Sequence, residues 1–176
     1  IGSAGRLFWE LAHGIDRRVV EPEHERKSLG REETFPEDIN DIAYLEKLIV
    51  QFAAELCRKL RRAELLAGSI TIKLRYSNFK TITRSKTITP CNSDIIVTQV
   101  ASELLYHSYN NKNPLRLFGL SLGQLSPVTS LQQGNLFEPQ LNADYKNIDQ
   151  LMDEIRDRFG PGAINRANLL PYKDSE

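Results

Sequence analysis

Apolar residues recur with two different periods along this chain, and the switches between them mark its elements. Ile42, Leu45, Leu48, Ile49, Phe52, Leu56 and Leu60 fall on one face of a helix running to about Arg62, with Asp38 or Asn40 placed to cap it. The period then shortens to two. Ile70, Ile72, Leu74 and Tyr76 alternate with Thr71, Lys73, Arg75 and Ser77, which predicts a strand over 69–77 that buries the first set. A second strand over 80–89 follows a tight turn at Asn78. Asn92 or Ser93 is placed to cap a helix reaching about Tyr109, with Ile96, Val100, Leu104 and His107 or Ser108 along its stripe. After a turn cluster at 110–114, Leu115, Leu117 and the run 118–122 predict a last strand. Upstream, 27–35 reads as a strand whose alternation Gly30 interrupts.

The order is strand, helix, strand, strand, helix, strand. It predicts an α+β fold: a four-stranded sheet with two helices on one face, a split βαβ layer whose other face is open. Residues 27–126 form this domain. Before it, Arg6 to Gly14 reads as a helix end with Leu7, Phe8 and Leu11 at helical spacing, within a segment 1–16, and the charged, Pro22-containing stretch 17–26 reads as a linker. After it, 127–176 turns polar and reads as a tail with a short amphipathic helix at 147–159 carrying Ile148, Leu151 and Ile155.

Composition narrows the class without naming a function. With 40% hydrophobic and 26% charged residues, the chain is an ordinary globular sequence, long enough for one domain and an appendage. No apolar run approaches the roughly 20 residues of a membrane helix, and no basic-then-apolar leader opens the sequence, so no membrane partner is expected. Cys57 and Cys91 fall in a helix and at a strand end, form no CxxC pair, and have no metal spacing with His13, His24 or His107. A reducing cytoplasm is the expected location.

Charge adds one local feature. The 23 basic and 23 acidic side chains balance, yet between Gly68 and Pro90 stand Lys73, Arg75, Lys80, Arg84 and Lys86 with no acid. A flat, basic, hydroxyl-rich sheet face suits a polyanion, because Lys and Arg attract phosphates while Ser and Thr bond their oxygens. Nucleic acid is the leading partner. Arg26, Lys27 and Arg31 join the patch if the first strand lies in the same sheet. Edge strands also carry cations merely to prevent aggregation, which is the plain alternative. Arg58, Lys59, Arg61 and Arg62 sit where a helix C-terminus favours cations anyway.

No catalytic or metal-ligating residues are expected. Glu32, Glu33, Glu37, Asp38 and Asp41 have no convergent spacing and cluster near a helix N-terminus, which favours acids. There is no Ser–His–Asp context, Gly-rich phosphate loop or HExxH pattern. One further motif stands out. Gln133-Gly134-Asn135-Leu136-Phe137 places two apolar residues in a polar segment, fit either to dock in a partner's apolar pocket or to fold back on the domain.

The run from Gly5 to Asp16 (Gly-Arg-Leu-Phe-Trp-Glu-Leu-Ala-His-Gly-Ile-Asp), with Arg26-Lys27-Ser28-Leu29-Gly30-Arg31-Glu32-Glu33-Thr34-Phe35, resembles the thumb end and little-finger start of Y-family DNA polymerases, such as bacterial DNA polymerase IV and its UmuC-like relatives. Ile72-Lys73-Leu74-Arg75-Tyr76 and Leu117-Phe118-Gly119-Leu120 resemble later strands of that domain, and the resemblance covers 1–126. Gln133, Leu136 and Phe137 are similar to the QxxLF peptide that holds the sliding clamp. The resemblance implies a little-finger domain of a lesion-bypass polymerase that grips the template–primer duplex, with 1–16 as a thumb remnant. The family's metal-binding carboxylates lie in the palm, which no stretch here matches, so Mg2+ is implied for the palm and no cofactor for this chain. Lys73, Arg75, Arg84 and Lys86 would then contact phosphates, with hydrogen bonds from Ser77, Thr83, Ser85 and the stretch holding Lys27, Ser28, Gly30 and Arg31. About four to six neutralised phosphates would make binding fall steeply with salt. The alternative is a free-standing protein–protein interaction domain that uses the same basic face.

Overall fold

The computed structural model describes residues 2–19, 26–109, 112–129, 141–160 and 162–164. Its principal elements are α1 (Gly5–Ala12), β1 (Ser28–Ile39), α2 (Ile42–Arg62), β2 (Leu65–Tyr76), β3 (Thr81–Cys91), α3 (Asp94–Ser108), β4 (Leu115–Pro127) and α4 (Leu141–Phe159). The four strands form one sheet in the order β1-β4-β2-β3, every neighbouring pair antiparallel. β1 and β2 both run against β4, so they are parallel to each other with β4 between them. β3 and β4 are likewise parallel around β2. Two split βαβ units therefore interlock, each helix returning the chain past the strand that the other unit supplies. The expected α+β layer is present.

The core lies between the sheet and the helices α2 and α3. Ile70, Ile72 and Leu74 from β2 and Phe118, Leu120 and Leu122 from β4 meet Leu45, Ile49, Phe52, Leu56 and Leu60 from α2. Phe52 and Phe118 pack with ring centroids 6.0 Å apart. The α2 stripe read from the sequence is the buried one, with Ile42 packed at its margin. Its cap is Asp41, whose carboxylate accepts the Tyr44 N–H at 3.0 Å. Neither Asp38 nor Asn40 takes that place, because β1 continues through Asp38 to Ile39. It tolerates Pro36 because it is an edge strand, and its register shifts between Thr34 and Ile39.

The buried face of α3 differs from the expected stripe by one residue. Val97, Ala101 and Leu105 are the fully buried positions, and Val100 and Leu104 only pack against the core margin. Adjacent apolar pairs such as Ile96–Val97 and Leu104–Leu105 make this helix apolar nearly all round, so periodicity alone leaves its phase open. Ser93 is its N-cap by backbone geometry, and its hydroxyl makes no capping bond.

α4 begins six residues before the expected start at 147 and docks through its polar side. Ile148 and Leu151 are exposed, while Asp149, Met152 and Arg156 are buried. Its acids meet the cations at the end of α2. Arg61 donates to both Asp153 oxygens at 2.6 and 3.0 Å and to the Asn92 carbonyl at 2.9 Å, with Asp149 at 3.6 Å. Arg58 and Arg62 both donate to Asp157, whose carboxyl these bonds hold below the usual range. Two residues after α1 stands Gly14, whose φ of 72° suits the left-handed exit of a helix. α1 buries no side chain among the described residues, and Phe8 and Trp9 are exposed.

Arg61 holds a nearly inaccessible pair of acids, so removing it strands a buried charge. Arg61→Ala should cost about 3 kcal/mol in urea unfolding. Arg62→Ala, at an exposed pair, should leave the midpoint nearly unchanged.

Candidate nucleic-acid interface

Residues opposite one another in an antiparallel ladder share a face. The register therefore lays out the open face in rows across β1, β4, β2 and β3. One row runs Thr34, Leu117, Arg75, Thr81, and the next runs Glu32, Gly119, Lys73, Thr83. A third holds Gly30, Ser121, Thr71 and Ser85, and the last holds Ser28, Gly123, Ser69 and Thr87. Most of these side chains are hydroxyls or single hydrogens. The twisted sheet forms a shallow concavity of about 420 Å³ here, lined by Ser28, Gly30, Glu32, Thr71, Lys73, Thr83, Gly119, Leu120 and Ser121.

The expected single basic face is divided. Lys73 and Arg75 point outward, with Thr83 and Ser85 beside them. Arg84 stands opposite Ile72 and Lys86 opposite Ile70, so both belong to the helix-side face at the β3 edge. Lys86 pairs with Glu103 of α3 at 2.7 Å and thereby lowers the Glu103 carboxyl below its ordinary range. Arg84 donates to the neighbouring Thr83 carbonyl at 2.9 Å. Odd and even positions of a strand point opposite ways, so cations at 73, 75, 84 and 86 cannot share a face in this register.

Arg31 also faces the helices. It forms an ion pair with Glu55 of α2, and its guanidinium lies 4.8 Å from the Phe52 ring centroid. Its role in the fold is to close the β1 edge over the core. Ser28 and Gly30, three and one positions before it, lie on the open face. Lys27 is exposed just ahead of β1, and Ser77 opens the β2–β3 turn, its N–H donating to the Pro114 carbonyl at 3.1 Å. Gln133, Leu136 and Phe137 lie outside the described residues.

Sequence reasoning missed the small β4 residues Gly119, Ser121 and Gly123 and the part played by Glu32. Glu32 reaches across the sheet to Lys73, whose ammonium lies 2.8 and 2.9 Å from its two oxygens. The bridge passes over β4 at Gly119, where an added Cβ would stand 2.8 Å from the Glu32 Cγ. Glycine in a central strand marks such a close approach. Ser69 similarly fills the space over Gly123, and Thr71 donates to the Ser85 hydroxyl at 2.9 Å. Arg75 bonds Thr81 at 3.0 Å and has no carboxylate partner among the described residues. The signal for this face was the run Thr81, Thr83, Ser85, Thr87 at period two, which sets the phase of β3 more reliably than its cations do.

The other candidates resolve into ordinary roles. Glu33 accepts a hydrogen bond from the Tyr44 hydroxyl, Asp38 lies 3.9 Å from Arg116, and Asp41 caps α2. No group of acids, histidines or cysteines among the described residues could hold a metal. Cys57 and Cys91 are free thiols, and burial pushes both above their ordinary range. No described helix is long and apolar enough to cross a membrane.

The chain is thus an α+β protein, a split βαβ layer with one helix-covered face and one polar, small-residue face. The chain belongs to the impB/mucB/samB family, whose C-terminal domain matches residues 26–136. It is 30% identical over 171 residues to DNA polymerase IV of Desulfatibacillum aliphaticivorans, covering 96% of this chain and 43% of that protein. It is 36% identical over 135 residues to DNA polymerase IV of Alkalilimnicola ehrlichii, covering 77% and 38%. DNA polymerase IV 1 of Bacillus subtilis matches at 29% over 180 residues. The chain spans less than half the length of these curated relatives. Among solved structures, the little finger domain of PolIV in its complex with the beta-clamp processivity factor is similar at a TM-score of 0.48 and 23% identity, covering 64% of this chain and 99% of that one.

The Glu32–Lys73 bridge depends on the missing side chain at 119. Gly119→Val should cost about 1–3 kcal/mol by forcing Glu32 aside. Adding Glu32→Ala should recover part of that loss, and strictly additive unfolding energies would contradict the contact.

Proposed function

We propose that this chain is the duplex-holding module of a lesion-bypass DNA polymerase, and that the open sheet face rests on the sugar–phosphate backbone of the template–primer. The observation that carries this reading is the row pattern: hydroxyls and glycines across all four strands, with Arg75 free of any described carboxylate. Small hydroxyl side chains let a backbone approach closely and bond phosphate oxygens without reading bases, so binding is sequence-tolerant. Nucleotidyl transfer in the whole protein is assigned to residues other than these.

Glu32 moderates the charge of this face. It neutralises Lys73, leaving Arg75 and the hairpin cation Lys80 as the main attraction, with Arg84 and Lys86 reaching phosphates only around the β3 edge. About three neutralised phosphates replace the four to six expected from the sequence, for a log–log salt slope of about −3. In anisotropy titrations with a blunt duplex, Arg75→Ala should weaken binding and flatten the slope by about one. Glu32→Gln should tighten binding about threefold at low salt, because it frees Lys73. Unchanged titrations for both variants would reject the face.

The segment carrying Gln133, Leu136 and Phe137 is proposed as a sliding-clamp contact, supported by its sequence pattern. Replacing Leu136 and Phe137 with Ala should abolish recovery of this chain on immobilised clamp while duplex affinity stays within twofold or so of wild type. Loss of both activities would assign these residues to the fold instead.

A further inference from the structure

The β2–β3 turn breaks a local rule. The Phe79 N–H donates to the Tyr76 carbonyl at 2.9 Å, and the Tyr76 N–H donates to the Lys80 carbonyl at 2.9 Å. This is a three-residue hairpin loop whose last position takes a left-handed conformation, where glycine is the inexpensive choice. The chain puts Phe79 there, at φ 64°. A bulky aromatic in this region is strained, and the ring gains no core contact in return, being 65% exposed.

Its surroundings indicate what the ring is for. The Arg116 guanidinium lies 4.9 Å from the ring centroid, and Asp38 stands 3.9 Å from that same guanidinium. Lys80 follows in the turn, whose geometry Asn78 fixes by accepting the Lys80 N–H at 3.0 Å. Arg75 and Thr81 form the row of the open face nearest the turn and are bonded to each other at 3.0 Å. An exposed aromatic amid cations, where a phosphate-binding face ends, is the combination by which proteins hold single-stranded nucleic acid.

We propose that Phe79 is a stacking platform for an unpaired nucleobase where a single strand leaves the duplex on the open face. Arg116 supports the ring, and Arg75 and Lys80 receive the flanking phosphates. The junction position rests on the reading of the open face given above; the stacking itself does not.

Three probes separate the two in anisotropy titrations: a blunt duplex, the same duplex with a single-stranded extension, and the single strand alone. Phe79→Gly is the informative variant because glycine adopts the turn without strain. It should lose about fivefold in affinity for the extended duplex and for the single strand, with the blunt duplex unchanged. Phe79→Trp should restore both. If wild type ignores the blunt duplex while Phe79→Gly still weakens single-strand binding, the face reading fails and the stacking stands. If the extended duplex and the single strand bind Phe79→Gly as they bind wild type, or all three probes weaken equally, the stacking is wrong.

Discussion

The alternation of β2 is the constraint on which the rest depends. Burying Ile70, Ile72 and Leu74 against Phe52 and Phe118 decides, at one stroke, that Ser69, Thr71, Lys73 and Arg75 face outward. Because β2 is a central strand, its phase propagates through the ladder to β4 and β3. Gly119, Ser121 and Gly123 then have to face out, and so do Thr83 and Ser85. A slip of one residue would expose Ile72 and turn Lys73 into the core, at a cost no local interaction could offset. The polar face is thus held by the hydrophobic one.

What could be read from the sequence follows the strength of its periods. The seven-residue stripe of α2 is long and clean, and both its face and its end matched the structure. The inward and outward sets of β2, the turn at Asn78 and the order of elements matched too, although β2 starts at Leu65, four residues before the expected 69. Three of the readings that failed did so where the pattern was ambiguous or the deciding partner was distant. α3 carries apolar residues nearly all round, so its phase is set only by packing against α2 and the sheet. α4 docks by Asp149, Asp153 and Asp157 on Arg58, Arg61 and Arg62, almost a hundred residues earlier in the chain, and not by Ile148 and Leu151. In β3, the cations at 84 and 86 were expected on the same face as the hydroxyls at 83 and 85, although register permits only one of the two sets to accompany Lys73.

The site that results is less charged and more finely shaped than a count of cations suggests. Lys73 is bridged to Glu32 across Gly119, and Arg31 is spent on Glu55 and Phe52, so the open face contributes form and hydroxyls more than net charge. A surface of this kind slides along a backbone without trapping it, because weak phosphate contacts are exchanged singly and no base is read. That property suits the duplex-holding role proposed above. The hairpin turn, with its strained aromatic, marks one end of the same surface.

The most direct measurement is a titration of the nitrogen-15-labelled chain with a short blunt duplex, followed by amide chemical shifts. The largest changes are predicted at Ser28, Gly30, Ser69, Thr71, Lys73, Arg75, Gly119, Ser121, Thr83 and Ser85, with the exposed sides of α2 and α3 little affected. Shifts concentrated on those helices, or on the Arg58–Arg62 and α4 contact, would contradict the assignment of the open face.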